Sequence, residues 1–309
     1  MPHSTDARLA VGVDLGGTKI DARLLDASGD VLAHARSATP AAGGQAVVAE
    51  IAALVATVTE DRDPAELAGV GIGAAGIIEP ATGDVLDATD AIADWKGVHL
   101  AAGVAELTGL YVRAINDVHA HALGESVLAG LPRSASLLLI AVGTGVGGAL
   151  IRDGDLVAGA HGAAGHFGHI ASPHAIGLPC SCGGRGHAEA SGSGPAILES
   201  YRRLGGSASD AIDVSARAAE GDERARAAID LSATTVGSIV GGLVNGLDPD
   251  LVVVSGSVAR IPGWWQKFEA AARQETLPLL TSVALRPSAG DSAACIGAAN
   301  LVLEKENAP

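Results

Sequence analysis

Between positions 9 and 14 apolar residues alternate and then bunch, break at Leu15-Gly16-Gly17-Thr18-Lys19, and resume over 20–25 before the turn Ser28-Gly29-Asp30. A period of two interrupted by glycine predicts strand, turn, strand, turn and a third strand. From 43 to 60 the period lengthens. Val47, Val48, Ile51, Leu54 and Val55 recur at three- and four-residue spacing, which predicts a helix. An apolar strand is expected at 68–74, where Gly71, Gly73 and Gly76 leave the backbone open to a ligand. A helix at 100–107, a strand at 110–115 and a helix opened by Asn116-Asp117 follow.

The stretch 136–142 (SLLLIAV) reads as a buried strand running into Gly143-Thr144-Gly145-Val146-Gly147-Gly148, with a strand resuming at 149–151 before Asp153-Gly154-Asp155. That order repeats the N-terminal one. LAVGVDLGGTKIDARLLDASGDVLA and LLLIAVGTGVGGALIRDGDLVAG each run strand, glycine turn, strand, acidic-glycine turn, strand. An internal duplication of this kind predicts two similar lobes facing each other across a cleft, with their glycine turns meeting one ligand. Further on, helices are expected at 195–204, 211–219 and 223–247, then a strand at 251–254 ending in Ser255-Gly256-Ser257. A helix at 264–274, a strand at 283–285 and a helix at 293–303 complete the chain. No linker or charge block marks a separate module.

Composition narrows the function classes. The chain has 309 residues, a net charge of −15 and only 2% aromatic residues, which disfavours a nucleic-acid surface built on basic stripes and stacking rings. Its 48% hydrophobic content suffices for a substantial core. The N-terminus lacks the basic and long apolar regions of a secretory signal, and no apolar segment is expected to approach the roughly 20 residues of a membrane span. A cytoplasmic location is therefore expected, with Cys180, Cys182 and Cys295 kept as thiols.

Residues 161–194 (HGAAGHFGHIASPHAIGLPCSCGGRGHAEASGSG) hold five of the ten histidines, a Cys-x-Cys pair and too much glycine for a regular helix. His169, Cys180, Cys182 and His187 can converge as four ligands of a structural zinc; the alternative is a pair of adjacent thiols among solvated histidines. A disulfide between Cys180 and Cys182 is disfavoured by its geometry. The two glycine turns offer bare amides to phosphate oxygens, and Asp14 is placed to hold a metal-bound water. Neither turn matches a P-loop or a G-x-G-x-x-G fingerprint. Asp117, at a strand-to-helix junction, suits either a general base or an ordinary N-cap. If phosphate binds at the turns, a carboxylate opposite them serves a hydroxyl nucleophile. Asn116, His166 and Glu189 are then of the type that grips sugar hydroxyls.

DLGGTK, Asn-Asp followed by HALGE, GTGVGG, GAAGHFGH and CSCGGRGHAE, in this order and spacing, resemble the ROK family of bacterial sugar kinases and repressors over essentially the whole chain. The resemblance implies an α/β, actin-like (ribonuclease H-like), two-lobed sugar kinase fold. Its small lobe would be 1–116 rejoined by 291–309, and its larger lobe 117–290 with the metal loop 161–194. ATP, Mg2+ and a structural Zn2+ are the implied cofactors. Asp14, Gly16, Gly17, Thr18, Lys19, Gly143, Thr144, Gly145, Gly147 and Gly256 are the implied nucleotide contacts. Asp117 is the implied base for the sugar 6-hydroxyl, and Gly76, Asn116, Asp117, His166, His169 and Glu189 the implied sugar contacts. Sugar and nucleotide are the expected small-molecule partners, with no nucleic acid or membrane, in a homodimer or homotetramer.

Three positions depart from the family pattern. His187 stands where the third cysteine of the motif is usual, so the fourth zinc ligand is either His187 or missing. Ala91, ahead of Trp95, stands where an asparagine is common. His166 stands where most family hexokinases carry a glutamate. That histidine and Pro173-His174 resemble the bacterial N-acetylmannosamine kinases, and a neutral imidazole tolerates an acetamido group at C2 better than a carboxylate does. N-acetylmannosamine is thus the expected substrate and glucose the alternative. A sugar-responsive repressor is disfavoured, because strand 1 begins by Leu9 with no helix-turn-helix before it. Loss of zinc is expected to lower sugar affinity and to leave the glycine turns little changed.

Overall fold

The computed structural model describes residues 8–88 and 91–303, so the outer ends of the expected small lobe, 1–7 and 304–309, lie outside the described residues. The chain divides into two compact units. One holds the described residues up to Pro132, Ala158–Ala164 and those from Ala289 on; the other holds Arg133–Val157 and Gly165–Ser288.

In the first unit β1 (Leu9–Leu15), β2 (Lys19–Leu25) and β3 (Val31–Ala38) form an antiparallel meander around the two predicted turns. Helix α1 (Gly44–Val58) leads to β4 (Leu67–Ala74), which pairs parallel with β1. A small ribbon of β5 (Ile77–Ile78) and β6 (Val85–Asp87) precedes α2 (Leu100–Thr108), β7 (Val112–Asn116) and α3 (Asp117–Leu128). The sheet order is β3-β2-β1-β4-β7. Strand β1 is almost wholly buried and reads as a continuous apolar run because helices cover both its faces, whereas the edge strand β3 alternates.

The second unit repeats this plan. Strands β8 (Leu137–Val142), β9 (Val146–Arg152) and β10 (Asp155–Leu156) form the antiparallel part. Helices α4 (Glu189–Gly192), α5 (Gly194–Arg203), α6 (Ala211–Ala219) and α7 (Glu223–Leu247) follow, then β11 (Leu251–Ser255), α8 (Trp264–Glu275) and β12 (Ala284–Pro287). The order β10-β9-β8-β11-β12 matches the first sheet strand for strand, including the two parallel pairings. The duplication read from the sequence is therefore a duplication of topology.

Helix α9 (Ala293–Leu303) returns to the first unit and lies directly on its sheet. Gly12 and Gly71 are partners across β1 and β4, and a Cβ at either would stand 1.9 and 1.7 Å from the Cys295 and Ala298 carbonyl oxygens. Gly124 and Gly297 let α3 and α9 meet in the same way. Backbone-to-backbone contact leaves no room for a methyl group, so an alanine at any of these positions forces the layers apart.

Two expectations need correction. Helix α7 is 25 residues long, with mean hydropathy 1.5 in its most apolar window, so by length and composition it qualifies as a span. Yet 61% of that window is buried inside the protein, and Gly237 and Gly241 press against the Phe268 and Ala272 carbonyls of α8, as in a core helix. The segment 161–194 also contains a regular turn, α4, despite its glycines. Hydrogen bonds from Ser191 and Ser232 to α7 and Gly192 support that turn in place of propensity.

Candidate active site

In the first unit the site is built where β7 ends. Asn116 caps α3: its side-chain carbonyl accepts the N–H groups of Val118 at 2.9 Å and His119 at 3.2 Å, two donors that a helix start leaves unpaired. Its amide donates to the Gly76 carbonyl at 2.9 Å. Gly76 has φ 109°, and a Cβ there would stand 2.6 Å from the Asp87 carbonyl, so conformation and the β6 ribbon both demand glycine. The buried Trp95 donates its indole N–H to the neighbouring Ala75 carbonyl at 2.9 Å.

Because the cap falls chiefly to Asn116, Asp117 is the first residue of α3, and its carboxylate accepts Val118 N–H at 2.9 Å. Burial pushes its carboxyl above the ordinary value, against the pull of the Val118 hydrogen bond and of His119 and His121. Asp14, at the end of β1, is raised to about 6, first by burial and then by the negative charge of Asp117. Across the strand, Asp21 pairs with Asp14 in the ladder but behaves oppositely. Burial raises it, but hydrogen bonds from Arg23 and Arg36 overcome this and hold it at about 2. Two carboxylates side by side, one compensated and one not, are thus driven apart in acidity.

The sequence reading assigned no role to three residues of α3, although its HALGE motif holds two of them, His121 and Glu125. His119 Nε2 lies 3.2 Å from the Ala164 carbonyl, and His121 Nε2 lies 3.2 Å from Oε1 of the buried Glu125. Glu125 in turn accepts the N–H of Ala289 at 2.9 Å, where the chain re-enters this unit. The available signal was a His-x-His pair with a glutamate four residues on, all on the helix that Asp117 begins. The first glycine turn closes with Gly16 N–H to the Lys19 carbonyl at 3.0 Å, and Thr39 Oγ1 donates to the Gly16 carbonyl at 2.7 Å. Gly17 and Thr18 remain exposed.

In the second unit three predicted segments converge. Gly143 N–H donates to the Gly145 carbonyl at 2.9 Å, and the Gly143 carbonyl accepts Gly194 N–H at 2.8 Å. Gly256, at φ 97°, would place a Cβ 2.1 Å from the Val142 carbonyl, so the turn after β11 lies on the end of β8. A cavity of about 320 Å3 opens beside them, lined by Thr144, Pro195, Leu198, Ile212, Val258 and Ile261 among others. At Gly147 a Cβ would meet nothing within 4 Å, so the backbone there faces open space on its Cβ side. A larger cavity, about 580 Å3 between α6, α7 and α8, touches none of these groups.

His169, Cys180, Cys182 and His187 do come together: one ligand atom of each lies within 4.8 Å of all the others. His169 Nδ1 is 3.5 Å from Cys180 Sγ, and Cys182 Sγ is 3.2 Å from His187 Nδ1. These are close to the edges of a tetrahedron with bonds of about 2.0–2.3 Å, so two thiols and two imidazoles fit zinc in donor type and spacing. The knuckle closes with Cys180 N–H to the Gly184 carbonyl at 2.9 Å, and a Cβ at Gly184 would stand 2.7 Å from the His187 ring. Burial raises the Cys180 thiol, so a bound cation there must displace a firmly held proton. His166 is exposed and stacks on His169 with ring centroids 6.1 Å apart.

Glu189 is where the structure departs furthest from expectation. One carboxylate oxygen accepts Val146 N–H at 2.9 Å and the other accepts the Ser181 hydroxyl, so the second glycine turn is not remote from the metal loop. Ser181 passed unnoticed in the sequence, although a hydroxyl between two cysteines was there to be read.

Residues 10–305 match the ROK family, and the chain belongs to it. Its α/β architecture is the actin-like fold of that family's sugar kinases. The chain is 32% identical over 326 residues to the glucokinase of Halalkalibacterium halodurans, covering 97% of this chain and 96% of that one. It is 34% identical over 269 residues to the N-acetylmannosamine kinase of Escherichia coli strain 55989, covering 86% and 88%. Among solved structures, the ROK family glucokinase of Streptomyces griseus in complex with glucose and AMPPNP is 30% identical. Its TM-score is 0.77, over 95% of this chain and 98% of that one.

Proposed function

We propose that this protein is an ATP-dependent sugar kinase that phosphorylates the 6-hydroxyl of N-acetylmannosamine. The observation that carries the reaction class is Asp117, a carboxylate held at the start of α3 by the Asn116 cap with its affinity for protons raised by burial. In the proposed reaction Asp117 takes the proton from the 6-hydroxyl as that oxygen bonds to the γ-phosphorus of ATP. The bond to the β–γ bridging oxygen breaks, and ADP leaves with the electron pair. A raised pKa suits this task, since a weakly basic carboxylate removes an alcohol proton less readily.

The second glycine turn and the cavity lined by Leu198, Ile212 and Val258 support the nucleotide assignment, with Gly143 and Thr144 of the turn and apolar walls lining one cavity. Asp14, Gly16, Gly17, Thr18 and Lys19 are further proposed nucleotide contacts. Magnesium would be held through water by Asp14 and would neutralise charge on the β- and γ-phosphates. Zinc would be held by His169, Cys180, Cys182 and His187, fixing the ring on which His166 stacks. Gly76, Asn116, His166, His169 and Glu189 are proposed sugar contacts. Asn116 acts through its remaining amide hydrogen, since its other groups are engaged.

His166 supports N-acetylmannosamine over glucose, because an imidazole leaves the C2 acetamido group unopposed by a carboxylate. Glucose is the second reading, supported by the glucokinase of H. halodurans as a full-length relative. A panel of hexoses assayed with magnesium-ATP separates the two: N-acetylmannosamine is expected to give the highest kcat/KM. Preference for glucose without turnover of N-acetylmannosamine would replace the first reading with the second.

A further inference from the structure

Ser181 stands between Cys180 and Cys182, and its hydroxyl donates to Oε1 of Glu189. Oε2 of the same carboxylate accepts Val146 N–H at 2.9 Å, where the glycine turn re-enters β9. Gly145 is not in the left-handed region, so its backbone does not require glycine; a Cβ there would stand 2.7 Å from Glu189 Oε2. Its missing side chain makes room for the carboxylate. Glu189 is also braced from behind. Ser191 Oγ lies 3.1 Å from Thr235 Oγ1, and Ser232 Oγ donates to the Gly192 carbonyl at 2.6 Å, tying α4 to α7. The carboxylate is thus a braced arm with the metal knuckle at one end and the phosphate turn at the other.

We infer that Ser181, Glu189 and Val146 form a coupling element through which metal at His169, Cys180, Cys182 and His187 and nucleotide at the Gly143–Gly148 turn bind cooperatively. Glu189 and Ser181 act here as positioning residues. The inference rests on the zinc and nucleotide assignments proposed above. Metal fixes the backbone on both sides of Ser181, so the Ser181–Glu189 bond forms without a further ordering penalty. Glu189 then holds Val146, and with it the turn, in the conformation that receives phosphate. Without metal the Cys180–Cys182 segment is free to move, Ser181 leaves, and the carboxylate can swing off the turn. Linkage requires the converse in equal measure: nucleotide must tighten the metal.

The test measures affinity for a non-hydrolysable ATP analogue by calorimetry, on the full chain loaded with zinc and after chelation, with amide hydrogen exchange read over 143–148. Chelation is expected to weaken nucleotide binding by about fivefold or more and to speed exchange in the turn. The analogue is expected to slow zinc release to a chromogenic chelator. Ser181→Ala removes only an exposed hydroxyl; it is expected to retain zinc while the difference between loaded and chelated protein falls below about twofold. Equal nucleotide affinity with and without zinc overturns the coupling while leaving both assignments standing, as does undiminished coupling in Ser181→Ala. If chelation unfolds the chain, the comparison of zinc-loaded wild type with zinc-loaded Ser181→Ala decides, and unchanged affinity and exchange there overturn it. A native protein that binds no zinc, or no nucleotide, overturns the assignments and the coupling together.

Discussion

The side-chain amide of Asn116 donates to the carbonyl of Gly76 at 2.9 Å while the other end of the same side chain caps α3, so one residue aligns the helix that begins at Asp117 with a glycine turn forty positions earlier. Asn116→Asp keeps the cap and loses the donor, whereas Asn116→Ala loses both. The alanine variant is expected to be less stable by about 1–2 kcal/mol in urea unfolding, most of it from the cap. The aspartate variant is expected to keep most of that stability but to lose turnover, because the Gly76 carbonyl is left facing a carboxylate.

Asp14 costs the fold stability at neutral pH. Its carboxyl is raised from 3.8 to about 6, so the folded state holds a proton that the unfolded chain has released between those values. The fold is therefore unpenalised below about pH 4 and loses stability as pH rises through about 6. Asp14→Asn removes that penalty. It is expected to be more stable than the parent by about 1–3 kcal/mol at pH 8, with no gain at pH 3.5, while magnesium-ATP turnover is abolished. A melting curve series against pH checks it, and a gain that persists at pH 3.5 would assign the effect to packing.

Asp117→Asn preserves shape and the acceptor for Val118 N–H but cannot take a proton. Turnover is expected to fall by about 10²–10⁴-fold with KM for the sugar little changed. In the parent, kcat is expected to fall towards acid with an inflection above the ordinary carboxylate range, since burial raises Asp117. Turnover within about tenfold of the parent would place the base elsewhere.

For the metal, elemental analysis is expected to find about one zinc per chain. His187→Ala leaves an open position and is expected to weaken zinc by more than about tenfold, whereas His187→Cys is expected to retain it. Full activity in chelated, metal-free protein would reduce the cluster to a polar loop.

His166→Glu tests the sugar preference. The carboxylate is expected to raise kcat/KM for glucose relative to N-acetylmannosamine by about tenfold or more, the scale of a charged hydrogen bond gained against one C2 substituent and opposed by the other. An unchanged ratio would move specificity to another residue.

Much of the fold was legible in the sequence, because secondary structure is written in local periodicity. The three- and four-residue recurrence of α7 and the glycine-broken alternation of β1, β2 and β3 required no knowledge of their neighbours. The repeat of that alternation at β8 and β9 foretold the matching sheet orders. The ribbon of β5 and β6 was not legible, because two or three residues are too few to show a period. The four candidate metal ligands were named from donor type, but their mutual approach within 4.8 Å depends on a glycine-rich backbone whose path no pattern encodes. Only tertiary structure decided that Asp21 is neutralised by Arg23 and Arg36 while Asp14 is not, since cross-strand register and burial set those energies. Only tertiary structure, likewise, laid Glu189 between Ser181 and Val146. Gly145 is bare because a carboxylate forty-four residues later occupies the space, and that contact exists only once the chain has folded back on itself.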